Sequence, residues 1–217
     1  MGLAHSPSIV TDGLVLCLDA GNTKSYPGIG TAWTDLSGRG NTGTLTNAPT
    51  YNSSNGGSLV FNTVGQEYST SLTTTTFTNT TQSIWFKWSG VNVANTITYL
   101  GNSGSNGLGL YIGSSGAPSN QLGVLYGGIS YNALPSSITL TTNWSNFVVT
   151  RSSNTTTLYQ NGSLFTSTTS TPATSASYSF GSPSNGGNIS NINFYNRALT
   201  AAEIQQNFNA LRGRFGI

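Results

Sequence analysis

The sequence of 217 residues is poor in charged side chains, and this scarcity excludes one class of partner. Charged residues make up 6% of the chain, whereas about a quarter is usual for soluble domains. Binding to nucleic acid requires a clustered basic surface, so we expect no nucleic-acid partner. The seven basic residues are scattered and form no run: Lys24, Arg39, Lys87, Arg151, Arg197, Arg212 and Arg214.

Cysteine and histidine are almost absent. Cys17 is the only cysteine, so no internal disulfide can form, and its place in the apolar run GLVLCLDA predicts a small buried side chain rather than a reactive thiol. His5 is the only histidine and lies near the N-terminus, so we expect no nucleophile activated by histidine. The sequence shows neither a transmembrane-length apolar stretch nor a secretory signal, and we expect no membrane partner.

Ser, Thr, Asn and Gly are abundant instead, together with aromatic residues at 11% of the chain. Disordered chains have few aromatic residues and many charges, so this balance predicts a folded β-protein with long polar turns. The length fits one large domain. Since the sequence has no internal repeat and no break in composition, we predict an N-terminal arm at 1–12 and a single domain at 13–217.

Short runs of β-branched and aromatic residues predict about a dozen strands. No helix alternates with them, which favours a sandwich of two antiparallel sheets. Asn161-Gly162 predicts a type I′ hairpin turn. The Ser/Thr-rich tracts Thr73–Thr81 and Ser167–Ser177 are interpreted as exposed loops or edge strands. The predicted strands are Leu14–Asp19, Ser58–Asn62, Tyr68–Leu72, Ser83–Ser89, Thr96–Gly101, Leu108–Ile112, Leu122–Tyr126, Phe147–Ser152, Thr156–Gln160, Ser163–Thr168, Tyr178–Phe180 and Ile189–Tyr195.

The C-terminal stretch departs from this pattern and predicts one short helix at about 201–212. Thr200 and Glu203 have the spacing of a capping box at its start. Gly213 is placed to end it in the left-handed conformation. Apolar residues at intervals of four and three positions give one face that packs on the sandwich: Ile204, Phe208 and Leu211.

Four segments occur in the order found in a known family: WTDLSGRGNTGTL (33–45), SLVFN (58–62), WSNFVVTR…TTTLYQNGSLF (144–165) and ISNINFYNRALTAAEIQQNF (189–208). From about Gly13 to its end the chain resembles the laminin-G-like domains of the concanavalin-A-like lectin/glucanase superfamily. This resemblance implies a jelly-roll sandwich of two antiparallel sheets. The segments LDAGNTKSYPGIGTAWTDLSGRGN and NALRGRFG are similar to stand-alone domains encoded by tailed bacteriophages, which implies a virion protein.

The superfamily includes glycoside hydrolases, whose chemistry needs two carboxyl groups about 5–10 Å apart, one of them protonated. No two acidic residues of this chain are closely spaced on a predicted strand, and Glu203 is already assigned to the capping box. We therefore predict a protein that is not an enzyme and assign no catalytic residue. The acidic residues are Asp12, Asp19, Asp35, Glu67 and Glu203.

Calcium is a second candidate ligand, since related domains often bind it through Asp and Asn oxygens. Asp35 with Asn41, or Asp19 with Asn22, could contribute to such a site, but Ca²⁺ takes six to eight oxygens and usually several carboxylates. Many relatives carry acidic residues after the strand that corresponds to SLVFN, where this chain has NTVGQEY. An Asp before Ser-Gly commonly stabilises a turn, so we favour that role for Asp35 and predict no metal and no cofactor.

Glycan binding is the activity that the superfamily implies. Exposed loop aromatics that could stack on sugar rings are Tyr26, Trp33, Tyr51 and Tyr131. A chain this poor in aliphatic residues needs aromatic side chains in its core, so we favour a core position for Trp33. We assign no ligand-binding residue. The aromatics predicted to form the core are Trp85, Trp88, Trp144 and Phe147.

The expected function is therefore a non-enzymatic virion accessory protein on the outer surface of a phage particle. The leading hypothesis is a lectin-like module that decorates the capsid, with the major capsid protein or another virion protein as its partner. The arm 1–12 and the tail Arg214–Ile217 are the candidate docking segments, because chain ends become ordered when a partner holds them. The alternative is a tail-associated receptor-binding module that binds glycans on the host surface.

Overall fold

The computed structural model describes residues 7–73, 78–102, 106–114, 117–126, 130–131, 136–169 and 178–217. These residues form seventeen strands, one α-helix and two short 3₁₀ segments. The strands are β1 (Leu14–Asp19), β2 (Ala32–Trp33), β3 (Gly43–Thr46), β4 (Thr50–Asn52), β5 (Ser58–Phe61), β6 (Glu67–Thr70), β7 (Asn79–Trp88), β8 (Asn95–Asn102), β9 (Asn106–Ser114), β10 (Ala117–Tyr126), β11 (Ser130–Tyr131), β12 (Ile138–Thr139), β13 (Trp144–Ser152), β14 (Thr155–Gln160), β15 (Ser163–Thr169), β16 (Tyr178–Gly181) and β17 (Gly187–Tyr195).

The strands form two sheets, and every pairing among them is antiparallel. The first sheet has the order β15-β14-β13-β7-β17-β5-β4, and β1 also pairs with β17. The second sheet has the order β11-β10-β9-β8-β16-β6-β3-β2, and β12 also pairs with β10. The predicted all-β sandwich of two antiparallel sheets is confirmed.

Each of the twelve predicted strands is present, with ends shifted by up to five residues, whereas the short strands β2, β3, β4, β11 and β12 were not predicted. The interpretation of Thr73–Thr81 is wrong at its C-terminal end, because Asn79 begins the central strand β7. The Thr80 and Thr81 hydroxyls are buried, and each donates a hydrogen bond of 2.9 Å to a backbone carbonyl, at Tyr195 and Arg197 respectively. Ser167–Thr169 belongs to the edge strand β15, as predicted. Residues 74–77 and 170–177 lie outside the described part.

The main core lies between the two sheets and is mostly apolar, and it includes Ile84 and Phe86 of the central strand β7. One polar side chain crosses it. Gln82 on β7 is fully buried, and its Nε2 donates a hydrogen bond to the carbonyl of Leu108 at 2.7 Å. Its Oε1 accepts a bond from Thr98 Oγ1 at 3.2 Å. Both partners belong to the second sheet, so Gln82 connects the sheets by hydrogen bonds within the core.

Helix α1 (Ala201–Leu211) packs on the outer face of the first sheet. The capping box of Thr200 and Glu203 is present, and Ile204 and Phe208 are buried as predicted. The predicted stop at Gly213 is wrong. A 3₁₀ segment continues from Arg212 to Phe215, and the chain turns into the left-handed region only at Gly216, with φ +74°. Helix α1 is too short to span a membrane, and no other described helix can do so.

Two further sequence predictions are confirmed. The hairpin between β14 and β15 turns at Asn161 and Gly162, with φ values of +51° and +78°, as a type I′ turn requires. Cys17 on β1 is buried with 6% exposure and packs beneath helix α1, beside Tyr195 and Ile204. Its burial, followed by the nearby carboxylates of Asp19 and Asp35, raises the pKa of the Cys17 thiol to about 12. The thiol is therefore a packing group and is protonated at neutral pH.

Candidate functional site

The C-terminal segment Arg214–Ile217, a candidate docking segment, is anchored to the domain through Arg214 and Phe215. The Phe215 ring is buried and stacks on Trp85 with the ring centroids 4.0 Å apart. The Arg214 Nη1 donates to both carboxylate oxygens of Asp19, at 3.0 and 2.9 Å. The physical reason is that Trp85 points to the outer face of the first sheet. Phe215 and Phe208 stack on its ring there and shield it from water.

The described part of the N-terminal arm is also held by the domain. The backbone N–H of Val10 donates to Asn207 Oδ1 at 2.7 Å, and the carbonyl of Val10 accepts a bond from the Tyr195 hydroxyl at 3.0 Å. Gln206 Nε2 donates to the carbonyl of Ser8 at 2.8 Å. Residues 8–12 therefore run along helix α1 and complete its packing, while residues 1–6 lie outside the described part.

Asp35 has the turn role that its sequence context favours. Its Oδ1 accepts hydrogen bonds from the backbone N–H groups of Cys17 and Ser37, both at 2.8 Å. Its Oδ2 accepts from the backbone N–H of Asn41 at 2.9 Å. The amide of Asn41 donates to the carbonyl of Val15 at 2.7 Å. This carboxylate fastens the loop 35–41 to strand β1, and Asp19, from the other candidate calcium pair, is bound by Arg214.

Two other carboxylates meet at a single arginine. Arg197 Nε lies 2.8 Å from Asp12 Oδ2, and its Nη2 lies 2.6 Å from Glu203 Oε1. The hydrogen bond from Arg197, followed by that from the Thr200 backbone, lowers the pKa of Glu203 to about 2. A carboxyl group that is ionised at neutral pH cannot serve as the acid of a glycosidase pair. Within the described residues, no group of three or more His, Cys, Asp or Glu could hold a metal ion.

Two of the four aromatic residues considered for sugar stacking are buried. Tyr26 and Trp33 are buried at 3% and 0% exposure, so a stacking role for them is wrong, whereas the core position favoured for Trp33 is confirmed. Tyr51 is half-buried and packs on Tyr26, with ring centroids 5.7 Å apart. The side chain of Tyr131 lies outside the described part. Of the predicted core aromatics, Trp88 is half-buried and these three are buried: Trp85, Trp144 and Phe147.

A pocket of about 380 Å³ opens at the end of the sandwich where β1 and β7 begin and β17 ends. We call it the rim pocket. Leu72 and Leu100 are buried at its floor, and the polar residues Thr78, Asn79 and Asn196 are exposed at its edge. The rim pocket is lined by Val15, Leu72, Thr78, Asn79, Thr80, Leu100, Tyr195 and Asn196.

The polar groups of the rim pocket differ in how they are engaged. Thr80 Oγ1 is buried and donates to the carbonyl of Tyr195, and Asn79 Oδ1 accepts a bond of 3.3 Å from the backbone of Ser153. The Asn196 backbone N–H donates to Gly13 at 2.9 Å, which holds this residue at the edge. Its exposed side-chain amide has no hydrogen bond with the described residues. The edge of the pocket thus presents amide and hydroxyl groups above an apolar floor.

The sequence alone did not reveal this pocket, because its described lining comes from five separate stretches of the chain. Val15, Leu72 and Asn79 are close only because β1 and β7 begin, and β6 ends, at the same edge of the sandwich. Tyr195 and Asn196 belong to the segment YNRALT, which predicted packing, and Tyr195 is indeed fully buried. The sequence signal that could have indicated the pocket was the change from the apolar end of β17 at Tyr195 to the polar residue Asn196.

A family model described as the concanavalin A-like lectin/glucanases superfamily matches residues 61–205, which is more than half of the chain. No curated protein matches the chain by sequence.

Solved structures share the fold at low sequence identity. The binding domain of botulinum neurotoxin serotype D is 15% identical with a TM-score of 0.70, and the match covers 92% of this chain and 52% of the toxin domain. The chain thus spans about half the length of that domain. Domain 4 of an arabinanase from Geobacillus stearothermophilus, in complex with arabinotriose, is 19% identical with a TM-score of 0.67, covering 88% of this chain and 96% of that domain. Trypanosoma rangeli sialidase in complex with sialic acid is 17% identical with a TM-score of 0.69, covering 97% of this chain and 36% of the sialidase.

Proposed function

Because this chain belongs to the concanavalin A-like lectin/glucanases superfamily, we propose that it is a non-enzymatic glycan-binding module with the rim pocket as its glycan site. The observation that carries the proposal is the chemistry of that pocket. Amide and hydroxyl groups suit the hydroxyl groups of a sugar, while the apolar floor suits its C–H faces. The volume of about 380 Å³ lies within the range of small-molecule sites, which is about 300–1,000 Å³.

Four acidic side chains are bound to other groups of the protein, which supports a role without catalysis. Asp35 is bound within its turn, Asp19 faces Arg214, and the pair Asp12 and Glu203 shares Arg197. These four carboxylates therefore have structural partners. We expect that glycans bound by the protein are recovered unchanged, as measured by mass spectrometry after prolonged incubation.

Glycan binding can be tested with the purified protein on a glycan array and by calorimetry. We expect binding to at least one sugar class, and a loss of about tenfold or more in affinity for Asn196→Ala if the rim amide bonds the sugar. Asn143→Ala is the matched control, since Asn143 is exposed and lies at the opposite end of β13 from the pocket. Equal loss in both variants, or binding by neither wild type nor variant, contradicts the proposal.

The biological setting is a further part of the proposal. The segments at 18–41 and 209–216 resemble domains of tailed bacteriophages, and we propose a virion accessory protein on the outer particle surface. The leading candidate is decoration of the head, with the major capsid protein or another virion protein as partner. The alternative is a tail-associated module for host glycans. Mass spectrometry of purified particles and immunogold labelling of head and tail distinguish these two locations, and absence from the particles would overturn both.

A further inference from the structure

We infer that the rim pocket selects uncharged sugars and discriminates against sialylated or sulfated ones. This inference rests on the proposed glycan site and names the class of its ligand. All eight of the described residues that line the pocket carry uncharged side chains. An anionic sugar is normally held by arginine or lysine, through charge-assisted hydrogen bonds to its carboxylate or sulfate. The described lining of this pocket contains neither arginine nor lysine.

The basic side chains near the pocket are engaged elsewhere. Arg197 follows the lining residue Asn196, but its guanidinium is bound by Asp12 and Glu203. Arg214 is bound to Asp19 on the outer face of the first sheet. All seven basic residues of the sequence belong to the described part, and none of them lines the rim pocket.

Arg151 is also near the pocket in its backbone position, since it pairs with the lining residue Thr80 across the strands β13 and β7. Its side chain is fully buried, and its Nε donates to the carbonyl of Ser153 at 3.2 Å. Ser153 lies in the turn that follows β13, and the described lining of the rim pocket includes Thr80 but not Arg151.

The apolar floor adds to the discrimination. Leu72 and Leu100 are buried beneath the pocket and can solvate the C–H groups of a sugar, but not an ionised group. A carboxylate or sulfate that loses water without gaining a cation is strongly disfavoured. A neutral hexose or N-acetylhexosamine loses only hydroxyl hydration, which the amides and hydroxyl groups of Asn79, Asn196 and Thr78 can replace.

The experiment compares matched glycans that differ only in a terminal sialic acid or a sulfate group. We expect the neutral member of each pair to bind at least about tenfold more tightly. Its affinity should also change by less than about twofold between about 50 and 500 mM NaCl, since no ion pair is available for screening. Tighter binding of the charged members, or a steep loss with salt, overturns the inference but leaves glycan binding intact. Binding to no glycan instead overturns the proposed function.

A variant with an added positive charge tests whether the rim pocket is the site that determines this selectivity. Asn196→Lys puts a cation at the rim, and we expect it to increase the ratio of sialylated to neutral binding by about tenfold. Asn143→Lys adds the same charge at the opposite end of β13 and should leave that ratio unchanged. Thermal unfolding of both variants confirms that they are folded. An unchanged ratio in Asn196→Lys, or an equal increase in both, shows that the rim pocket does not set the selectivity.

Discussion

Replacing Phe215 by alanine tests whether the C-terminal segment stabilises the whole domain. The Phe215 ring is 6% exposed and lies between two tryptophans, with centroid distances of 4.0 Å to Trp85 and 4.9 Å to Trp144. Truncating a buried phenylalanine costs about 3–5 kcal/mol of unfolding free energy. Because Phe215 belongs to a short 3₁₀ segment, which can relax towards the cavity, we expect the lower value of about 3 kcal/mol.

Such a loss is large compared with the stability of an ordinary domain, which is about 5–15 kcal/mol. For a domain of this size each kcal/mol lowers the Tm by about 2–4 °C, so Phe215→Ala should unfold about 6–12 °C below the wild type. Phe215→Leu keeps most of the apolar volume and loses the ring stacking, which is worth about 0.5–1.5 kcal/mol. The Tm of Phe215→Leu should therefore lie between those of the wild type and Phe215→Ala.

Urea unfolding followed by tryptophan fluorescence measures this directly, since Trp85 and Trp144 both contact Phe215. Ile217→Ala is the matched control, because Ile217 is 43% exposed and a surface substitution changes stability by about 0.5 kcal/mol or less. If Phe215→Ala were as stable as Ile217→Ala, the segment would not be packed on the sheet. It would then be free to bind a partner, and its assignment as a structural cover for Trp85 would be refuted.

Three further perturbations have defined outcomes. Cys17 has a pKa raised to about 12 and is buried, so thiol reagents should label it at neutral pH only as fast as the domain opens. Glu203 has a pKa lowered to about 2, so its stabilisation is complete above about pH 4.3 and is lost as the pH falls towards about 2. Glu203→Gln should therefore be less stable than the wild type near neutral pH and equally stable near pH 2, as urea midpoints across this range would show. Gln82→Leu leaves the buried polar groups of Leu108 and Thr98 without their partner, and should cost about 1–3 kcal/mol by chemical denaturation.

Each of these three predictions has an outcome that would contradict it. Labelling of Cys17 that is fast and independent of urea would place the thiol at the surface. A constant difference between Glu203→Gln and the wild type at every pH would show that ionisation of the carboxyl group is irrelevant. Greater stability of Gln82→Leu would show that the second sheet satisfies its own polar groups without Gln82.

Local signals in the sequence predicted local structure well. The capping box of Thr200 and Glu203 and the hairpin turn at Asn161-Gly162 depend only on neighbouring residues, and both are present. The strand positions were predicted from runs of β-branched and aromatic residues, which are also local signals. These features could be predicted because their hydrogen bonds are made within a few residues of the chain.

Features that depend on distant partners could not be predicted in the same way. Thr80 looked like part of an exposed tract, yet its hydroxyl is satisfied by the carbonyl of Tyr195 and it is therefore buried. Phe215 continues the helical apolar stripe four positions after Leu211, but the intervening Gly213 indicated a stop. The rim pocket had no local signal, because the strand ends that form it are brought together only by the order of the sheets.

The order of strands in the first sheet has a consequence for how the protein is synthesised. Strand β7 lies between β13 and β17, and β1 also pairs with β17, so both strands depend on a segment that is translated much later than either of them. Until β17 and helix α1 leave the ribosome, β7 exposes Trp85 on one side and Phe86 on the other. Contacts over such long stretches of chain form slowly, and exposed apolar strands invite aggregation meanwhile. Production of this protein should therefore benefit from slow synthesis at low temperature, or from chaperones that shield the nascent chain.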